Sequence, residues 1–327
     1  IINLNHTKIK KKNNFSKIYF NKIDLTNCIF SCKEKINSYF LSQEKKSEIL
    51  KKIFEKKNIK LAITNIARGI DGCIIENAKK FKVNTVCIPH GTLSEYFNNY
   101  DKLYKKNISE AIYSKSSKFN AAQSKIAKLF FKKYAKKNYI ETGNLIFNEM
   151  RRNTGDSILY AVTIKDFDNF HPIGVESFFE YINNLESLDH LAKKNNLKII
   201  VKPHPSEFDA IPYLDKKFSN LNFTKIKNKI LFKKIKILIS FSSTMIEDSL
   251  YSNVPVILFD KWKRYQHCVA EKNILQKNSA VYYVNNINDL EINLKTINES
   301  KNINFNKYIF KGKAIKNFDN LLTRLTK

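Results

Sequence analysis

Three consecutive hydroxyl residues between two apolar runs form the stretch of this sequence best suited to chemistry. Ser242, Ser243 and Thr244 follow the predicted strand Lys236–Ser240 and open a predicted helix, with Glu247 in its first turn. Hydroxyls at such a junction can hold phosphate oxygens together with the unpaired N–H groups of the first helical turn. Glu247 is a candidate acceptor for ribose hydroxyls. The hydroxyls are equally typical of a plain N-cap, and the two roles are compatible.

A histidine held between two prolines is the second candidate. The predicted strand Leu197–Lys202 ends in Lys202-Pro203-His204-Pro205. Proline fixes its own φ and restricts the residue before it, so His204 is presented with little conformational freedom. We predict that His204 and Lys202 bind an anionic phosphate; the alternative is a histidine that only packs.

The first half of the chain offers a histidine in a similar position. The predicted strand Asn84–Ile88 is followed by Pro89-His90-Gly91-Thr92. His90 is a candidate general base, because histidine exchanges a proton near neutral pH. A histidine that caps the strand or bonds backbone is the alternative. We expect Gly91 and Thr92, at the same edge of the sheet, to contact the same ligand as His90.

Two further polar residues follow the predicted strand that ends at Thr64. Asp71 is a candidate catalytic carboxylate or a helix N-cap, and both interpretations stay open. Arg68 can bind the carboxylate of an acidic sugar with two parallel hydrogen bonds, or can form a surface ion pair.

The loop after the predicted strand Ser157–Thr163 contains an acidic pair. Asp166 and Asp168 have the spacing of a metal-binding Asp-x-Asp, but no supporting ligand cluster stands nearby in the sequence. We therefore predict no metal and no cofactor, and we place Thr163 at the phosphate of the donor.

Apolar runs of strand length alternate with helical patterns along the whole chain, which predicts an α/β protein with parallel sheets covered on both faces. The predicted strands are Lys17–Phe20, Lys60–Thr64, Asn84–Ile88, Ala111–Ser114, Tyr139–Thr142, Ser157–Thr163, Leu197–Lys202, Asn222–Ile226, Lys236–Ser240, Pro255–Phe259 and Ala280–Val284. The predicted helices are Lys33–Lys57, Gly72–Phe81, Ala121–Lys136, Val175–Asn195, Met245–Tyr251, Ile287–Ile297 and Tyr308–Thr326. Ligands of such sheets bind beyond the carboxyl ends of the strands, where the candidate residues lie.

The length of 327 residues suits two domains of about 150 residues each. The polar stretch Arg151–Asp156 is the predicted linker, so we assign residues 1–152 to a first domain and 153–327 to a second. We expect the last helix to pack back on the first domain. The chain begins with Ile-Ile rather than Met, which is typical of a fragment that lacks the start of its first domain.

The formal net charge of +28 favours anionic partners. The basic residues are almost all lysine, with five arginines, and Asn and Ile are abundant, which is the profile of an AT-rich genome. Because arginine is the better reader of phosphates and bases, we expect no nucleic-acid partner. Nucleotide sugars and acidic lipid surfaces remain the expected partners.

Cysteine spacing and hydropathy predict a cytoplasmic protein. The cysteines have no metal-ligand or redox spacing and suit reduced thiols: Cys28, Cys32, Cys73, Cys87 and Cys268. No apolar run approaches the roughly 20 residues that span a bilayer.

Three motifs together resemble a known group of enzymes. The PHGT, KPHP and SST-plus-Glu motifs, the last followed by VPVILFD, resemble bacterial surface-polysaccharide glycosyltransferases of the GT-B type. The nearest in pattern are capsule transferases that use CMP-activated acidic sugars, namely Kdo and polysialyltransferase-like enzymes, and CDP-glycerol glycerophosphotransferases. Glu141–Asn144 is similar to the TGN turn at the end of their first domain. The resemblance implies two Rossmann-like domains with the ligand cleft between them. Residues 1–152 would form the acceptor domain, with Gly91 and Thr92 in contact with the acceptor or sugar, and residues 153–327 the nucleotide-sugar donor domain.

Within this group, the resemblance implies that His204 and the Ser242/Ser243 pair contact the nucleotide phosphate. The histidine that matches His90 is the base in the glycerophosphotransferases, whereas sialyltransferase-like members use an acidic residue before glycine, matched by Asp71. Only one acidic residue stands here where that pattern has two.

The implied activity is metal-independent transfer of a sugar onto a growing polysaccharide or lipid-linked acceptor at the inner face of the cytoplasmic membrane. A nucleotide-sugar 2-epimerase, which shares the two-domain architecture and the His-Pro turn, is the alternative. A binding module that senses nucleotide sugars without turnover is a third hypothesis.

Overall fold

The structure is a computed structural model that describes residues 17, 19–20, 23–27, 32–89, 91–135, 138–147, 155–161, 174–263, 265–300 and 302–326. Within them, a two-stranded antiparallel hairpin, β1 (Tyr19–Phe20) and β2 (Ile23–Asp24), precedes two separate parallel sheets. The second hairpin strand was not predicted from the sequence.

The first sheet has four parallel strands in sequential order: β3 (Leu61–Thr64), β4 (Asn84–Cys87), β5 (Phe119–Ala122) and β6 (Tyr139–Glu141). Its helices are α1 (Lys33–Lys56), α2 (Gly69–Lys80), α3 (Asn99–Ile112) and α4 (Lys125–Phe130), the last continuing as a π-helix over Phe131–Ala135. Asn98 and Ser124 cap α3 and α4, because their side chains accept hydrogen bonds from backbone N–H groups three residues later.

The second sheet has six parallel strands: β7 (Ser157–Ala161), β8 (Ile199–Lys202), β9 (Leu221–Phe223), β10 (Ile235–Ser240), β11 (Val256–Phe259) and β12 (Val281–Val284). The α-helices in this half of the chain are α5 (Gly174–Asn195), α6 (Ile211–Lys217), α7 (Asn228–Leu231), α8 (Met245–Tyr251), α9 (Ile287–Asn298) and α10 (Ala314–Thr326). This half also contains the 3₁₀ helices Pro205–Ala210 and Phe305–Lys307.

The prediction for residues 111–136 is wrong. Ala111–Ser114 was assigned to a strand, but α3 runs to Ile112, and the third strand of the first sheet is Phe119–Ala122. The predicted helix Ala121–Lys136 therefore begins four residues later, at Lys125. The short apolar run Ala-Ile-Tyr suits a strand as well as the end of a helix, and periodicity alone does not separate the two.

The strands of the second sheet lie in the order β12-β11-β10-β7-β8-β9. If these six strands are numbered 1 to 6 along the chain, the order read from β9 is 3-2-1-4-5-6. The strands β7 and β11 are buried at every position, because helices cover both faces of the sheet. In this order the chain reverses direction across the sheet between β7 and β10, and ligands of such folds bind in the crevice at that point.

The last helix packs against the first sheet rather than the second. Phe318, Leu321 and Leu325 of α10 form one apolar cluster with Val86 of β4. At the start of the same helix, Ala314 lies against Gly143, which has a φ of +74° and leaves no room for a side chain, since a Cβ there would lie 3.0 Å from the Cβ of Ala314. Of the predicted linker Arg151–Asp156, residues 151–154 lie outside the described residues.

In the described part of the chain, no helix is long and apolar enough to cross a membrane.

Candidate functional site

A cavity of about 400 Å³ lies between the two sheets, at the crevice between β7 and β10. Both halves of the chain contribute to its wall. The residues that line it include Gly91, Thr92, Leu93, Ile108, Ile112, Lys202, Pro203, His204, Asn228, Ser242, Ser243, Thr244, Tyr265 and His267. The cavity thus brings together seven of the residues predicted from sequence, namely Gly91, Thr92, Lys202, His204, Ser242, Ser243 and Thr244.

The three hydroxyl residues lie where β10 ends. Ser243 uses its hydroxyl oxygen to accept a hydrogen bond from the N–H of Met245 at 3.2 Å, so it serves as part of the cap of α8. Thr244 precedes the helix without a capping bond of its own and is exposed. Helix α8 has only seven residues, so we assign no ligand-binding role to its dipole. The hydroxyl groups are what this edge of the sheet offers to a ligand.

The His204 turn is rigid for a reason beyond its prolines. The backbone N–H of His204 donates to the Glu207 carboxylate at 3.2 Å, and the N–H of Glu207 donates to the His204 carbonyl at 2.9 Å. His204 is exposed at the cavity wall. Lys202 donates to the carbonyl of Ile226 at 2.7 Å, and partial burial lowers the pKa of its amine.

The first sheet approaches the hydroxyl loop closely at Gly91. A Cβ at this position would lie 3.5 Å from the methyl carbon of Thr244, an ordinary van der Waals contact, so the two loops are direct neighbours. The next residues are fixed by Tyr113, whose buried hydroxyl accepts a hydrogen bond from the N–H of Leu93 at 3.0 Å. This wall of the cavity therefore has a defined position.

Helix α8 connects the two halves of the molecule. Glu247 accepts hydrogen bonds from the hydroxyls of Thr92 at 2.5 Å and Ser124 at 3.3 Å. One turn later, the hydroxyl of Tyr251 donates to the carbonyl of Gln123 at 2.6 Å. Asp248 accepts from Asn144 of the TGN turn at 3.5 Å. The helix that begins behind the hydroxyl loop therefore also fixes the distance between the two sheets.

The two carboxyl groups of this helix are buried, and burial raises the pKa of both Glu247 and Asp248 to about 7. For Glu247, the hydrogen bond from Thr92 opposes this shift, and the neighbouring charge of Asp248 adds to it. Glu247 does not belong to the cavity wall, and its two oxygens are engaged by the first half of the chain, so its predicted contact with ribose is not supported by its position.

A buried ion pair lies beside the cavity. Lys105 and Asp101 of α3 are both fully buried, with 3.2 Å between the Lys105 Nζ and the Asp101 Oδ2. The ammonium also donates to the Ser94 hydroxyl and to the carbonyls of Glu95 and Gln266, at 2.7 to 2.9 Å. Burial lowers the pKa of Lys105 to about 8, and Asp101 opposes that shift. The Gln266 contact makes this pair a second connection between the two halves.

Besides Glu247, two predicted residues in the described part of the chain do not line the cavity. Arg68 and Asp71 follow β3 and do not line it; the Asp71 carboxylate instead accepts from the N–H groups of Asn65 and Ile66, at 3.0 and 3.2 Å. His90 and Thr163 lie outside the described residues, as do Asp166 and Asp168. In the part of the chain that is described, no group of three or more His, Cys, Asp or Glu side chains is arranged to hold a metal ion.

Three residues of the described wall with polar side chains were not predicted from the sequence: Asn228, Tyr265 and His267. His267 and Tyr265 stand in the loop after β11, and VPVILFD does mark that strand. Residues that follow a buried parallel strand are candidates for the ligand edge, so the signal was present for this loop but was not used.

Comparison with known proteins identifies the fold of the chain. The sequence matches no protein-family model and none of the curated proteins significantly. Solved structures match over most of the chain. The UDP-GlcNAc 2-epimerase of Neisseria meningitidis bound to UDP-GlcNAc is 15% identical, with a TM-score of 0.57 over 86% of this chain and 81% of that one.

Two further structures give the same result. The Methanocaldococcus jannaschii UDP-GlcNAc 2-epimerase in complex with UDP-GlcNAc and UDP is 14% identical, with a TM-score of 0.54 over 86% of this chain and 80% of that one. The S. aureus MnaA–UDP structure is 13% identical, with a TM-score of 0.54 over 87% and 83%. The chain has the two-domain, Rossmann-like GT-B fold. The prediction of fold class is confirmed.

Proposed function

We propose that the protein is an enzyme that binds a nucleotide-activated sugar in the cavity between its two sheets. The observation that carries this proposal is the convergence of His204, the hydroxyl loop and the first-sheet loop at Gly91 and Thr92 on one cavity. Hydroxyl donors, Lys202 and a histidine suit phosphate oxygens. The structures that share this fold are, by their own names, UDP-GlcNAc 2-epimerases, which supports the same class of ligand.

Epimerisation at C2 of the sugar is the reaction that these structural similarities favour over the transferase. Epimerisation requires that a proton leaves C2 and that one is returned to the opposite face, so the site must offer a base and an acid. Histidine exchanges protons near neutral pH, and His267 of the described cavity wall can serve as one of these two groups.

Glycosyl transfer is the second candidate, and the joint presence of the PHGT, KPHP and SST motifs favours it. In that reaction a base removes the proton of an acceptor hydroxyl while charge develops on the leaving nucleotide phosphate. His204 and the hydroxyl loop would stabilise that charge, which is the electrostatic role that often dominates catalysis. We propose a saccharide acceptor and no metal requirement for this case.

A thermal-shift screen tests the binding proposal. We expect CMP, CDP, UMP or UDP to raise the melting temperature, because a ligand that binds only the folded state stabilises it by mass action. His204→Ala should weaken that nucleotide about 10- to 100-fold, the effect of one lost hydrogen bond to a charged group. The matched control is His190→Ala, since His190 is exposed on α5 outside the cavity. EDTA should leave the shift unchanged. If no nucleotide, GDP included, shifts the melting temperature, the proposal is wrong.

Incubation with a nucleotide sugar alone separates the two reactions. An epimerase converts UDP-GlcNAc to its C2 epimer without any acceptor, which NMR of the sugar protons detects. A transferase leaves the donor intact until an acceptor saccharide is added. Binding without turnover in either case would point to the sensing module.

A further inference from the structure

His267 lies in the wall of the cavity, in the loop that follows the VPVILFD strand. It stands in the loop that follows β11 and is only 5% exposed, so its small accessible surface is turned to the cavity. Its neighbour Tyr265 lines the same wall, with 6.2 Å between the two ring centres.

The loop that carries His267 is held by charged groups on both sides. Within the second domain, the Asp260 carboxylate accepts from the N–H of Tyr265 at 2.9 Å. From the first domain, Asp101 accepts from the N–H of Gln266 at 3.1 Å, and Lys105 donates to the Gln266 carbonyl at 2.9 Å. Removing charged groups from water is unfavourable, so each buried charge must keep its hydrogen bonds. Two of these bonds go to the backbone of Gln266, which fixes the chain directly before His267.

His267 and His204 follow different strands of the second sheet. Their strands, β11 and β8, lie three strand spacings apart in the order β11-β10-β7-β8, or about 14 Å where the strands end. The hydroxyl loop follows β10, between them. A nucleotide sugar consists of a nucleoside, phosphates and a sugar in series, so we expect residues that follow strands this far apart to contact different parts of it.

The first domain contacts the loop that carries His267. Helix α3 supplies Ile108 and Ile112 to the cavity wall and Lys105 to the Gln266 carbonyl. Ile108 packs against two apolar clusters, one that contains Tyr265 and one that contains Leu93. The position of the His267 loop therefore depends on both domains.

We propose that His267 binds the sugar of the nucleotide-sugar ligand, while His204 and the hydroxyl loop bind its phosphates. This inference rests on the proposed function and on the sequence-based expectation that the second domain binds the donor nucleotide while residues of the first domain contact the sugar. An imidazole can donate to or accept from a sugar hydroxyl, and its fixed loop gives that contact a defined direction. The Asp101–Lys105 pair positions the loop.

The test compares nucleotide with nucleotide sugar in the full chain. Titration calorimetry with UDP and UDP-GlcNAc, and with CMP and CMP-N-acetylneuraminic acid, is run on the wild type, His267→Gln and the control His190→Gln. We expect His267→Gln to weaken the sugar-bearing ligand about tenfold, the effect of one hydrogen bond, and the bare nucleotide less than twofold. His190→Gln should match the wild type for both. An unchanged melting temperature without ligand verifies that His267→Gln is folded.

Each other outcome is decisive. Wild-type affinity of His267→Gln for the nucleotide sugar would overturn the assignment and leave the proposed function intact. Equal weakening of nucleotide and nucleotide sugar would also overturn it, because His267 would then contact the nucleotide. If the wild type binds none of the four probes, both this inference and the proposed function fail.

Discussion

Lys105→Met is expected to lower the free energy of unfolding by about 3–5 kcal/mol, the usual effect of breaking a buried ion pair by removal of one partner. Lys105 has 0% side-chain exposure, and four oxygen atoms surround its ammonium. Methionine can fill the space of the aliphatic stem but donates nothing. The Asp101 carboxylate would keep its bonds from the N–H groups of Phe97 and Gln266, but its charge would remain buried without a counterion.

Urea unfolding measures this effect, and the same helix offers a control. Lys102 is exposed on α3, so Lys102→Met should change the unfolding free energy by less than about 0.5 kcal/mol. The double variant Asp101→Asn with Lys105→Met removes both charges and should lose less than the two single variants together. A Lys105→Met protein within 1 kcal/mol of the wild type would show that the pair does not hold the domains in this way.

The sequence does not reveal the Asp101–Lys105 pair, because a single lysine is uninformative in a lysine-rich chain. In a chain of net charge +28, one more lysine on a helix carries no visible signal, and residues 111–114 were themselves assigned to a strand instead of the end of that helix. The partners of Lys105 include Gln266, which lies 161 positions further along the chain. Contacts between residues so distant in sequence are set by domain packing, which no local pattern encodes.

The parts that were predicted well depend on local patterns. Buried parallel strands such as β7 and β10 are continuous apolar runs, and polar residues directly after them must lie at the ligand edge of the sheet. This rule placed His204 and the hydroxyl residues in one cavity. It did not foresee that Glu247 would turn towards the first domain, because the direction of a side chain on α8 depends on where that domain lies.

Glu247→Gln is expected to remove part of the pH dependence of stability between about pH 4.5 and pH 7. Burial raises the folded-state pKa of Glu247 from 4.5 to about 7. In this window the unfolded chain has released the proton while the folded protein still binds it, so the stability contributed by this group is full below pH 4.5 and is lost as pH rises to about 7. Each pH unit corresponds to about 1.4 kcal/mol, which gives a total of about 3 kcal/mol as an upper value.

Glutamine has the shape of the protonated acid, since it keeps an oxygen that accepts from Thr92 and gains an amide that can donate to the Ser124 hydroxyl. The variant should therefore match the wild type near pH 4.5 and exceed its stability by up to about 3 kcal/mol at pH 8, as measured by urea unfolding across this range. The control is Glu299→Gln, whose carboxylate is 67% exposed. Its profile should run parallel to that of the wild type. Parallel profiles for Glu247→Gln as well would mean that the carboxyl group is hydrated, and that the contact between α8 and the first domain is open in solution.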